Sequence, residues 1–230
     1  MSIRENLESI RDCVEKAVAA AGREQGSVRL LAVSKTFPAE DVQTAYEAGQ
    51  RLFGENKVQE GLAKAPQVSS DIEWHLIGPL QRNKVRKALS VFSWIHSIDS
   101  LKLAEYMNEV AGELGVVPKV LFEVHVGGEE SKFGFEKEEL ESVWEQITEL
   151  KYLSPQGLMC IPPPVETPEE ARPYFAQLRD LRDHLRSRGP YELPELSMGM
   201  SHDFEAAIAE GATIVRVGTS IFGGRSYASL

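Results

Sequence analysis

Lys35 closes the apolar run Leu30, Leu31, Ala32 and Val33 in the stretch RLLAVSKTFP, a place where an ammonium group is expensive to desolvate. A lysine partly stripped of water, with a cation nearby, has a lowered pKa and a free amine able to form a Schiff base. The bland alternative is a side chain that snorkels past the rim of the fold into water. Two further stretches suit a phosphate. SMGMSHDFEAAI sets a glycine and two hydroxyls, Ser197 and Ser201, at a strand-to-helix turn, and RVGTSIFGG sets Gly218 and Thr219 at another. Backbone N–H groups and the helix dipole favour an anion at such turns, although glycine and serine also open many helices that hold none. Arg216, just before the second turn, supplies both the nearby cation and a partner for a heteroaromatic nitrogen. A Schiff-base lysine, phosphate turns and an arginine together describe pyridoxal 5'-phosphate.

Such a site needs a scaffold that brings residue 35 beside residues 197–219. Eight short β-rich runs, VRLLAV, RLFGEN, EWHLIG, SWIHSID, KVLFEVHV, YLSPQGLMCI, ELSMGM and TIVRVG, alternate with helical patterns. Few are joined by hairpin turn pairs, so the pattern predicts a parallel sheet, and its repeat fits an α/β fold of (β/α)8 TIM-barrel type. An open doubly wound sheet is the alternative. Its nucleotide fingerprint would have to be GGEESKFG, which has the wrong spacing and follows no first strand. Ile3, Leu7, Ile10, Val14 and Val18 predict an extra N-terminal helix over residues 1–22, packed on the barrel. Gly49, Gly115 and Gly211 close later helices, and Thr167, Pro168 and Glu170 predict a capping box. IPPPVETP is a rigid loop and not a linker, so residues 1–230 are expected to form one domain. Barrel ligands meet the C-terminal strand ends. Those ends include Lys35, the GEN segment with Glu55 and Asn56, His75, Ser97 and Asp99, His125, Ser197 to Ser201, and Arg216 to Ser220.

Composition excludes several classes. A formal net charge of −10 argues against a nucleic-acid surface, and no apolar run is long enough to span a bilayer. The N-terminus lacks the apolar core of a signal peptide, and two cysteines make neither a disulfide framework nor a metal site. A cytoplasmic protein is expected, and a charged surface without a long apolar stretch favours a monomer. Arg82, Lys84, Arg86 and Lys87 cluster in QRNKVRK, as a solvated helix face or a second anion site.

The segments LLAVSKT, FGENKVQE, HLIGPLQRNKV, HSID, SKFGF, GLMCIP, LSMGMSHDFEAAI and VRVGTSIFG run in order from residue 30 to residue 223. In that combination the chain resembles the pyridoxal phosphate homeostasis proteins, small relatives of the alanine racemase barrel. The resemblance implies a fold type III pyridoxal-phosphate barrel without the racemases' C-terminal β-domain. It implies that Lys35 carries the cofactor covalently as a Schiff base and that Arg216 faces the pyridine nitrogen. Ser197, Met198, Ser201, Gly218 and Thr219 match the phosphate cradle, and Asn56 and His75 match residues lining the pocket. His125 and His202 depart from the family pattern, and each is expected to be a satisfied pocket-wall residue, with a role at the cofactor's reactive face as the alternative.

What the resemblance implies is a binding protein that maintains intracellular pyridoxal phosphate, storing it or delivering it to apo pyridoxal-phosphate enzymes, and not an enzyme. The alternative is an amino-acid racemase or a related pyridoxal-phosphate enzyme. The racemases it resembles use a tyrosine from their C-terminal β-domain as a second base; here only RSYASL follows the last barrel segment, so the expected counterpart is Tyr227, in a tail without a scaffold. Arginine cannot take up the pyridinium proton, which weakens the cofactor as an electron sink. A phosphosugar or metal-dependent barrel enzyme would need a carboxylate cluster, for which Glu55 and Asp99 are too few.

Overall fold

All eight apolar runs become strands of one closed parallel barrel, each neighbour pairing with the next and β8 returning to β1. The computed structural model describes residues 2–127 and 134–223. The strands are β1 (Arg29–Val33), β2 (Leu52–Glu55), β3 (Glu73–Leu76), β4 (Trp94–Ile98), β5 (Lys119–Glu123), β6 (Ser154–Met159), β7 (Glu195–Ser197) and β8 (Ile214–Val217). Helices α2 (Ala39–Glu47), α3 (Val58–Lys64), α4 (Val85–Ala88), α5 (Leu101–Leu114), α6 (Lys137–Thr148), α7 (Pro168–Ser187) and α8 (Phe204–Ala209) cross between successive strands. The four-residue α9 (Thr219–Phe222) follows β8. No helix among the described residues is long and apolar enough to cross a membrane.

The N-terminal helix α1 (Ile3–Ala20) starts at a capping box: Ser2 Oγ accepts from Glu5 N, and the Glu5 carboxylate accepts from Ser2 N. Its apolar stripe, Leu7, Val14 and Val18, is buried where α1 packs on α2, α8 and α9. Each such side chain stabilises the fold by roughly 1.5–3 kcal/mol. The capping box expected at Thr167 is different. Its hydroxyl donates to the Glu170 carboxylate at 3.0 Å and does not cap a helix N–H, because that carboxylate also accepts from Glu166 N. The helix expected at QRNKVRK is short, a 3-10 turn (Arg82–Lys84) and α4. Ser90 Oγ bonds back to Lys87 O at 2.8 Å, which competes with continuing the helix.

Most of the apolar core lies between the strands and the helices. The barrel interior is different: it holds a small apolar cluster, Trp94, Leu121 and Met159, together with the buried polar side chains of His75, His96, Ser197 and Arg216. At the N-terminal end the first residues of the odd strands, Arg29, Glu73, Lys119 and Glu195, alternate in sign. Arg29 pairs with Glu195 at 2.7 Å, and both Arg29 and Lys119 sit over the Trp94 ring. Trp94 with this charged ring forms the barrel floor, and the ligand-facing end is left to the opposite strand termini.

Candidate functional site

Lys35 lies two residues beyond β1, half-buried, in a turn closed by Phe37 N donating to Ser34 O. Strand alternation carries Leu31, Val33 and Lys35 to the axis side and Ser34 to the outside. Outside, Ser34 Oγ donates to Glu55 Oε1 at 2.6 Å, and Lys64 Nζ donates to Glu55 Oε1 at 2.7 Å and to Ser34 O at 2.8 Å. On the other flank Thr36 N donates to Glu60 Oε2 at 2.8 Å, with Thr36 at φ 69°. The residue on each side of Lys35 is therefore pinned. Burial pushes the Glu55 carboxyl up to about 7, against the hydrogen bonds from Lys64 and Ser34. The sequence placed Glu55 among the strand ends that face a ligand; it faces away, toward α3, and braces the lysine turn from behind. Lys64 escaped the sequence reading, though its spacing of four from Glu60 on the helix after GEN was the available signal.

Of the two expected phosphate turns, the one after β8 packs on the lysine strand and the one after β7 is joined to β8. Arg216 N donates to Gly199 O at 2.9 Å, which joins the β7 turn to β8. Gly199 takes φ +89°, and an added Cβ would stand 2.6 Å from Ala207 Cβ, so only glycine fits. Met200 N donates to Asp203 Oδ1 at 2.6 Å, leaving Ser201 half-buried beyond it. Gly218 is the N-cap of α9, and a Cβ there would meet Val33 O at 3.1 Å, two residues from Lys35. Thr219 is exposed at the first position of α9. Met198 is fully buried in the outer core, so it can offer this turn only backbone. Asn56 follows β2 directly and is half-buried, with Gly78 against its backbone.

Arg216 is 3% exposed on the barrel axis. Its Nη1 donates to Ser197 O at 2.6 Å and to Ser197 Oγ at 2.8 Å, and its Nη2 donates to Cys160 O at 2.8 Å. Burial lowers its pKa, yet a guanidinium stays charged. Ser197 is thus a partner of the arginine inside the barrel. His75 is the third residue of β3, within the barrel and short of its end, stacked on Trp94. Its Nδ1 lies 2.8 Å from His96 Nε2, and its Nε2 lies 3.0 Å from Glu73 Oε1.

Sequence reasoning passed over His96, which shares a strand face with Trp94, and Glu123, the last residue of β5 on the axis side. Burial pushes the Glu123 carboxyl up to about 7, opposed by Arg216 and reinforced by Asp99. His125 turns to Glu136, with Nδ1 to Oε1 at 2.9 Å, and His202 is exposed. Arg82, Arg86 and Lys87 lie on the surface, with Arg86 ion-paired to Glu113 of α5, as a solvated face would have it. Residues 131–133 of SKFGF and Tyr227 lie outside the described residues. No group of three metal-ligating side chains occurs among the described residues.

The family model for the alanine racemase N-terminal domain matches residues 3–226. The chain is similar to the pyridoxal phosphate homeostasis protein of Aquifex aeolicus, 47% identical over 99% of this chain and 100% of that one. It is also similar to that of Pseudomonas aeruginosa, at 44% identity over 98% and 97%. The structure of PipY of Synechococcus elongatus with pyridoxal phosphate bound superposes with a TM-score of 0.86 at 43% identity, over 96% of this chain and 100% of that one. The alanine racemase of Clostridium difficile shares the fold, with a TM-score of 0.70 at 17% identity over 57% of its length. By full-length identity and by matched domain, the chain belongs to the pyridoxal phosphate homeostasis protein family.

Proposed function

We propose that this protein binds pyridoxal 5'-phosphate covalently through Lys35 and serves its intracellular storage and delivery. The supporting observation is that both glycine-hinged turns are tied to the lysine strand, Gly218 packing on Val33 two residues before Lys35 and Gly199 O accepting from Arg216 N, opposite Leu31. The donor set fits the group: an amine for its aldehyde, a guanidinium for its ring nitrogen, and hydroxyls of Ser201 and Thr219 with Gly218 for its phosphate. Pyridoxal phosphate supplies an aldehyde that combines reversibly with amines. The pinned turn holds the Lys35 amine at the mouth, and Arg216 offers donors below it without exchanging a proton.

The racemase alternative needs a second base at the mouth. Both ring nitrogens of His75 are engaged inside the barrel, and His125 is tied to Glu136. Neither is poised, which favours a carrier. The reading extends to a cytoplasmic monomer with apo pyridoxal-phosphate enzymes as recipients. Visible absorption before and after borohydride, followed by peptide mapping, tests the binding. A yellow protein whose reduced adduct maps to Lys35 is expected; a protein that takes up no added pyridoxal phosphate overturns the reading. Activation of an apo enzyme by the loaded protein tests delivery, and amino-acid racemisation by it would favour the alternative.

A further inference from the structure

A continuous line of side chains runs along the barrel axis from the floor to Arg216. Glu73 Oε1 lies 3.0 Å from His75 Nε2, and His75 Nδ1 lies 2.8 Å from His96 Nε2. His96 Nδ1 lies 3.0 Å from Ser197 Oγ, which in turn accepts from Arg216 Nη1 at 2.8 Å. The partners dictate where each proton sits. The hydrogen bond from His75 holds the Glu73 carboxyl below its usual range, so Glu73 is the acceptor and His75 carries its proton on Nε2. Burial pushes both imidazoles down, so each is neutral with one N–H. His75 Nδ1 then accepts, His96 Nε2 must donate, and His96 Nδ1 must accept from the Ser197 hydroxyl. That leaves the Ser197 lone pair for Arg216. One assignment satisfies every link, and it points from the guanidinium to the carboxylate.

We propose that Glu73, His75 and His96 are positioning residues that orient Arg216 through Ser197, so the group beneath the ligand is set from the opposite end of the barrel. The ligand side of the proposal rests on the pyridoxal phosphate reading; the proton assignment does not. The charged groups facing the imidazoles are Glu73 on β3, Arg29 on β1, Lys119 on β5 and Arg216 on β8. Arg29 and Lys119 oppose a second proton on His75, against Glu73, and Arg29 and Arg216 oppose one on His96. A histidine stacked on Trp94 for packing alone would have no fixed tautomer, so the tautomer separates positioning from filling.

The experiment is nitrogen-15 NMR of the ligand-free full chain, with histidine tautomers read across about pH 6 to 8. The expected result is a neutral Nε2–H tautomer at both His75 and His96. An Nδ1–H tautomer at His96, or a doubly protonated ring at pH 7, overturns the proposal. Glu73→Ala, at the half-exposed end, removes the acceptor and should mix the tautomers of both rings; unchanged tautomers overturn it. His96→Gln should weaken equilibrium binding of pyridoxal phosphate about tenfold, a change of ~1.4 kcal/mol, with the reduced adduct still on Lys35. If that variant fails to fold, Glu73→Ala is titrated in its place, with weaker binding again expected. Wild-type affinity in the variant titrated overturns the positioning role. No binding by the wild-type protein would sink the cofactor reading while the tautomer result stood.

Discussion

Lys64 Nζ lies 2.7 Å from Glu55 Oε1 and 2.8 Å from the carbonyl of Ser34, the residue before Lys35. A buried ion pair on the outer side of the barrel wall thus braces the turn carrying the candidate ligand-binding amine on the inner side. Lys64→Met leaves Glu55 without its cation. Above pH 7 the loss is expected to cost about 3 kcal/mol of stability, since a buried charge is stranded. At pH 5 the loss shrinks, because Glu55 takes up a proton below its raised value of about 7. Urea denaturation at the two pH values checks this; equal losses would show that the pair does not act electrostatically.

Burial pushes the carboxyls of Glu55 and Glu123 up to about 7 in the folded protein, from an ordinary value near 4.5. The native state binds more protons than the unfolded chain between these values, so stability falls as pH rises through that window. Their contribution is complete below about 4.5 and lost above about 7. Glu123→Gln should flatten the dependence of Tm on pH between those limits. A slope equal to that of the wild type would mean that Glu123 titrates normally.

Lys35→Ala is expected to abolish the borohydride-stable adduct and to change stability by no more than about 0.5 kcal/mol, as for other half-exposed positions. Mass mapping and a denaturant curve report the two effects separately. An adduct persisting at another lysine would displace Lys35 as the site of attachment.

Arg216→Gln removes charged donors from Ser197 O, Ser197 Oγ and Cys160 O inside the barrel. A loss of about 2–3 kcal/mol is expected, together with weaker retention of the cofactor. Dialysis of the loaded variant against buffer reads the retention, and wild-type occupancy afterwards would place the cofactor away from this arginine.

Gly199→Ala forces a left-handed backbone on an alanine, for about 1–2 kcal/mol, and drives its Cβ against Ala207. Competition by inorganic phosphate for the cofactor site should weaken in this variant, measured by absorbance displacement. Unaltered competition would take the phosphate away from the β7 turn.

The sequence by itself determined the eight strands, their parallel order and most helices, because these follow from local periodicity, caps and the lack of hairpin turns. It also picked out Lys35, Arg216 and the glycine turns, whose residue types are costly or odd where they stand. Three kinds of feature were beyond it. Whether a strand-end residue faces the axis or the helices depends on register, and this turned Glu55 and Met198 outward while leaving Glu123 facing in. Whether a cap forms depends on competing acceptors, so Ser2 has a capping box and Thr167 does not. The line from Glu73 to Arg216 joins His75 to His96 across 21 residues and His96 to Ser197 across 101. Only closure of the barrel brings those strands face to face, and only the resulting hydrogen bonds decide which nitrogen of each imidazole holds its proton.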